Sequence, residues 1–150
     1  CKVADMATCA PSLFTALINT EMGAWNAVES ALSEAGNALT LGRFLVLRTV
    51  RDTPACRIQE VAASQGITLG AASRLVDRLH RDGLLHRTPC EHDRRATVLT
   101  VTDLGLAHLE EACMIVEKEQ ERLFAPLSPA QREELTRSLA LIAEATKGHA

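Results

Sequence analysis

The stretch Thr68-Leu69-Gly70-Ala71-Ala72-Ser73-Arg74-Leu75-Val76-Asp77-Arg78-Leu79-His80-Arg81-Asp82-Gly83 decides the fold. Ala72, Leu75, Val76 and Leu79 recur at three- and four-residue steps, the period of one face of an α-helix. Ala71, Arg74, Arg78 and Arg81 fall on another face. Thr68 can cap the start. Gly83 can close the end, because glycine tolerates the left-handed conformation past a helix C-terminus. The pattern predicts a helix over 69–82. Just before it, Ile58, Val61 and Ala62 predict a short helix over about 58–65, ended by Gly66. Only Gly66-Ile67-Thr68 separates the two, as in a helix-turn-helix. A helix face with three arginines beside the small Gly70 and Ala71 can enter a DNA major groove without steric obstruction. Thr68, Gly70, Ala71, Arg74 and Arg78 are therefore candidate DNA contacts. A solvated face is the competing reading, since Arg74 with Asp77 and Arg78 with Asp82 have the spacing of intrahelical ion pairs.

Working outward, residues 84–88 and 96–101 read as two strands, the second β-branched and alternating (Thr97-Val98-Leu99-Thr100-Val101). Residues 89–95 read as a polar hairpin tip carrying Arg94 and Arg95. A hairpin after a helix-turn-helix is a wing, and two arginines at its tip suit the narrow minor groove or flanking phosphates.

The flanks read as helices. Leu17, Ile18, Trp25, Val28 and Leu32 predict one over 12–35, ended by Gly36-Asn37. Thr40 can cap a helix over 41–51, stopped at Asp52-Thr53-Pro54 because the residue before proline avoids the helical region. Thr102, with Asp103 in the favourable first turn, opens a long helix to about 124. Ser128-Pro129-Ala130-Gln131 opens the last, over 128–147, with a capping box and proline at its first position. The first helix and the last two carry apolar stripes with little chain left to cover them, which predicts a second copy as partner. The expected class is mainly α (α+β): a winged helix-turn-helix with N- and C-terminal dimerisation helices. Residues 1–40, 41–101 and 102–150 form its successive parts within one compact unit.

Charge distribution supports a nucleic-acid partner where net charge does not. The whole chain carries -3, yet all basic residues between 43 and 95 are arginines and they outnumber the acids there, while both flanks are acidic. A basic middle between acidic ends puts a positive field on one part of the fold. Arginine forks can bond phosphates and guanine edges bidentately. With no Tyr, one Trp and three Phe, base stacking on an aromatic platform is not expected. No stretch approaches a membrane span and no leader is visible, so a cytoplasmic protein without a membrane partner is expected. The five cysteines are odd in number and widely spaced, which suits reduced thiols rather than a disulfide framework or a zinc site. Met6-Ala7-Thr8 resembles a native start.

With these residues in place, the chain resembles the MarR family of multiple-antibiotic-resistance regulators. The resemblance is carried by Leu69-Gly70-Ala71-Ala72-Ser73-Arg74-Leu75-Val76-Asp77-Arg78-Leu79 followed by Asp82-Gly83-Leu84-Leu85. The wing Asp93-Arg94-Arg95 and the junction Leu99-Thr100-Val101-Thr102 with Gly105 are similar to the family's motifs there. The helix order fits from about residue 12 to 147. The resemblance implies a homodimeric transcription factor, usually a repressor, that reads a pseudo-palindromic operator in double-stranded DNA. A small anionic or phenolic effector, or oxidation, would release it. It places Ser73, Arg74 and Arg78 in the major groove, Arg95 in the minor groove with Asp93 orienting it, and Arg94 on phosphate. It also implies an effector site between the dimerisation helices and the DNA-binding region, where Trp25, Arg43, Phe44, Arg48 and His108 are the local candidates. For each the plainer reading is the stronger: Trp25 and Phe44 as core, and the arginines as surface or DNA-facing groups.

Redox-sensing relatives use an N-terminal cysteine with tyrosine partners. Cys9 is N-terminal, but the chain has no Tyr, so ligand control is expected over thiol control. Cys56 and Cys113 read as small core residues. His108 and Glu111 share a helix face, but two ligands make no metal site, and no cofactor is expected. Catalysis is not expected either, since no phosphate-binding loop or nucleophile motif is present. A winged helix that binds protein instead of DNA is the remaining alternative, opposed by the arginine stripe and the wing arginines.

Overall fold

The computed structural model describes residues 12–90 and 93–147, and the side chains of all these except 90, 93–96 and 147. Six helices and one hairpin follow in chain order: α1 (Leu13–Glu34), α2 (Leu41–Asp52), α3 (Ile58–Gln65), α4 (Leu69–Arg81), β1 (Leu85–Cys90), β2 (Asp93–Val101), α5 (Asp103–Phe124) and α6 (Pro129–Lys147). Local chemistry sets most of these boundaries. The hydroxyls of Ser12, Thr40, Thr68 and Thr102 each accept the amide N–H three residues on, satisfying an orphan donor of the first turn. Gly36, Gly66 and Gly83 take positive φ beyond the ends of α1, α3 and α4. Ser128 and Gln131 bond reciprocally at the start of α6.

α2 is the central element. Leu41, Phe44, Val46, Leu47 and Val50 are all buried, and the helix packs against α1, α3, α4, α5 and β2. Its N-terminus is held from α1, where the Glu29 carboxylate accepts the Leu41 N–H at 2.7 Å. Asn37 closes the corner between α1 and α2. Its Oδ1 accepts from the Leu39 N–H, and its Nδ2 donates to the His108 carbonyl and the Glu111 carboxylate of α5. Val61 and Ala62 of α3, Ala72, Val76 and Leu79 of α4, and Leu84, Leu85, Leu99, Leu109 and Ala112 complete one contiguous core.

The hairpin is longer than the sequence suggests. Pairing runs antiparallel from Leu85 with Val101 to Pro89 with Thr97, then jumps to Cys90 with Asp93. Residues 89, 90 and 93–95 are therefore strand rather than loop, and Arg94, Arg95 and Ala96 fall in the register jump on β2. Such a bulge re-aims the side chains at the end of a hairpin. Pro89 sits at the jump, where its missing N–H removes no ladder bond. The Leu99 N–H donates to the Cys56 carbonyl at 2.8 Å, tying β2 to the segment between α2 and α3.

The outer helices differ from this core. α5 spans about 33 Å at 1.5 Å per residue, and its buried residues, Gly105, Leu109 and Ala112, lie in its first half. None of the side chains described on α6 is buried. On α1, Val28 and Leu32 are buried but Trp25 remains 41% exposed. The reading of Trp25 as core is thus corrected: the core ends near Val28, and Trp25 shares an outward stripe with Phe14, Ile18 and Met22.

Candidate nucleic-acid interface

α3, the turn over 66–68 and α4 form the expected helix-turn-helix. Ala72, Val76 and Leu79 face the core, while Gly70, Arg74, Arg78 and Arg81 are exposed. Thr68 caps the helix through the Ala71 N–H at 3.2 Å. Gly70 has open space where a Cβ would stand, leaving the helix start narrow. Ala71 and Ser73 are half-buried beside it. Arg74 lies along the helix, its Nε donating to the Gly70 carbonyl at 3.3 Å.

The intrahelical ion pairs that would have made this face an ordinary solvated surface do not form. Asp77 is bound by Arg87 of β1, with Nη1 2.7 Å from Oδ1. Asp82, the C-cap of α4, is bound by Arg43 of α2. A carboxylate at a helix C-terminus opposes the helix dipole, so Asp82 gains from that external cation. Among the described residues Arg78 and Arg81 form no ion pair, and Arg74 bonds only backbone. Three arginines about one turn apart are left uncompensated on the exposed face. Sequence spacing did not reveal Arg43 and Arg87 in this role, because only the fold brings α2 and β1 beside α4.

The wing is anchored to α4 at its base. His80 Nδ1 lies 2.9 Å from the Leu85 carbonyl oxygen. The Thr102 hydroxyl donates to the Gly83 carbonyl at 2.7 Å, and the Thr102 N–H donates to Leu84. A Cβ on Gly105 would collide with the Leu84 carbonyl oxygen and stand 2.7 Å from Val101 Cγ1. This close approach of α5 to the wing base is the physical need behind the glycine of the junction motif. The backbones of Asp93, Arg94 and Arg95 lie in β2; their side chains lie outside the described residues.

The effector candidates have different surroundings. Phe44 is 2% exposed and belongs to the core, with the Arg48 guanidinium 5.4 Å from its ring centroid. Arg43 is engaged by Asp82 and the Ala38 carbonyl. His108 is half-buried on α5 and Trp25 exposed on α1. None of the five lines the cleft of about 350 Å³ between α5 and α6, formed by residues such as Glu117, Phe124, Arg132 and Leu139. Among the described residues no group of three or more His, Cys, Asp or Glu is placed to hold a metal, and no helix is long and apolar enough to cross a membrane. Cys56 is fully buried; burial and the nearby Glu60 push its thiol pKa up. Cys9 lies outside the described residues.

Comparison with known proteins agrees with this geometry. The family model described as the MarR family matches residues 39–97, which include α2 to α4 and most of the wing. The HTH-type transcriptional repressor Mb2911 of Mycobacterium bovis is 30% identical over 112 residues, 75% of this chain and 79% of that one. The structure of the transcriptional repressor CouR bound to a 23-mer DNA duplex superposes with a TM-score of 0.83 at 29% identity, covering 95% of this chain and 99% of that one. The Mycobacterium tuberculosis MarR family protein Rv2887, in complex with p-aminosalicylic acid, superposes with a TM-score of 0.68 at 27% identity over 89% and 99% of the two chains. With an arginine-faced helix-turn-helix, a wing and flanking helices in one order, this chain belongs to the MarR family of winged helix-turn-helix DNA-binding transcription regulators.

Proposed function

We propose that the protein is a homodimeric repressor of a pseudo-palindromic operator, released by a small anionic or phenolic ligand. The observation that carries the DNA-binding part is the uncompensated face of Arg74, Arg78 and Arg81 on α4. Arg78 and Ser73 read base edges, with Thr68, Gly70 and Ala71 allowing close approach and Arg74 meeting phosphate or base. Arg95 enters the flanking minor groove, oriented by Asp93, and Arg94 meets phosphate. Residues 41–101 thus carry the DNA surface, and the outer helices join two copies.

Repression is supported by the similarity to Mb2911 and CouR, both called repressors. Ligand control is supported by Rv2887, which holds an aromatic acid. Here Arg48, exposed above the Phe44 ring, is the cation best placed to receive a carboxylate, with Trp25, Arg43 and His108 as the other candidates. Footprinting on the DNA flanking the protein's own coding region tests the reading. Two protected half-sites about 10 base pairs apart are expected, with protection lost on adding millimolar salicylate or 4-hydroxybenzoate. A single asymmetric half-site would overturn the dimeric reading, and protection indifferent to such acids would overturn ligand control of this class.

A further inference from the structure

The carboxylates within α4 and at its cap each face a choice of partner. Asp77 stands one turn from Arg74 and from Arg81; Asp82 stands one turn from Arg78. At that spacing each could pair within the helix. Instead each is held from outside, Asp77 by Arg87 of β1 at 2.7 Å and Asp82 by Arg43 of α2. The two sides of each bridge are not equally free. Arg87 and Arg43 are the more enclosed partners, and the buried Nε and Nη2 of Arg87 and the Nε of Arg43 have no hydrogen-bond partner. The aspartates are about half exposed and can turn toward their own helix once the outside arginine is gone.

We propose that Arg87 and Arg43 are positioning residues for DNA binding: by holding Asp77 and Asp82 they keep Arg74, Arg78 and Arg81 free to meet the nucleic acid. The inference rests on the reading of the α4 face as the DNA contact. Neither arginine needs to touch DNA for its loss to matter. An arginine captured by a neighbouring carboxylate must break that pair before it can displace a counterion from phosphate, so capture lowers both affinity and its salt dependence.

The test uses the full chain and a fluorescein-labelled random-sequence duplex, with anisotropy read across a salt series. Arg87→Met is expected to weaken binding roughly five- to tenfold at low salt and to lower the salt slope by about one. Adding Asp77→Asn should restore both to within about twofold of the unsubstituted chain, although the bridge remains absent. Adding Asp103→Asn instead changes net charge equally but frees no helix arginine, and should restore neither. Wild-type binding by Arg87→Met, failure of Asp77→Asn to restore it, or equal restoration by Asp103→Asn would each overturn the proposal. Arg43→Met with Asp82→Asn reads the same competition at the other end of α4, should Arg87→Met lose its helical circular dichroism. Arg78→Ala separates the two levels: if it leaves binding unchanged the α4 face is not the DNA contact. If it weakens binding while the Arg87 and Asp77 variants behave otherwise than expected, only the positioning role falls.

Discussion

At the scale of single residues, side chains with similar sequence surroundings have different fates. Asp77 and Asp82 have helix neighbours at ion-pair spacing, yet both are taken by arginines from other elements. Cys56 and Cys113 read alike as small core residues, but Cys56 is fully buried and Cys113 only half-buried, with Arg51 Nη1 3.9 Å from its sulfur. The Cys56 environment carries a pH prediction. Burial, then Glu60, raises its folded-state pKa above that of the unfolded chain, near 8.5 for a free thiol. The folded state therefore holds the proton more tightly. The resulting stabilisation is fully present below the unfolded pKa and is lost as pH rises through the folded one. The urea midpoint should fall between pH 8 and 10 by more in the native chain than in Cys56→Ala. Parallel pH profiles for the two would show that this thiol is not the titrating group.

At the scale of elements, the joint between wing and long helix is closely packed. Thr102 caps α5 and bonds back to Gly83, and Gly105 leaves no space for a methyl group against the Leu84 carbonyl. Gly105→Ala should therefore destabilise the fold by about 1–3 kcal/mol through overpacking, despite alanine's better helix propensity. Chemical denaturation measures this directly, and a variant as stable as the parent would mean that α5 can shift away from the wing base. The cap at Thr102 was legible in sequence because it is a local hydrogen bond three residues long. The length of the wing was not: Pro89, Asp93 and the two arginines have turn-like composition, and only the pairing of Pro89 with Thr97 and of Cys90 with Asp93 carries the strands past them, with the arginines in the register jump between.

At the scale of the molecule, the apolar surface is divided. The core around α2 is closed, whereas α1 exposes Leu13, Phe14, Ile18, Met22 and Trp25, and α6 exposes Leu135, Leu139, Leu141 and Ile142. Contiguous apolar faces of this extent mark association surfaces, and a second copy brings the same stripes to meet them. Sedimentation equilibrium at micromolar concentration should give twice the chain mass of 16.2 kDa. Leu139→Glu, which places a charge in the middle of the α6 stripe, should raise the dimer dissociation constant by at least about tenfold. A well-folded monomer in the native chain would refute the pairing.

The sequence by itself determined the helix order, the helix-turn-helix, the caps and the existence of a wing. Each of these is written in contacts between residues a few positions apart, where periodicity and capping chemistry act. It also determined which arginines share the exposed face of α4, because helical spacing places them there whatever surrounds the helix. Only the tertiary structure decided whether those arginines are free, since Arg43 and Arg87 reach Asp82 and Asp77 across the packing of α2 and β1 on α4. It likewise decided that Phe44 is core while Trp25 is surface. Both lie on apolar stripes, and burial depends on which other elements arrive to cover the stripe, which no local pattern records.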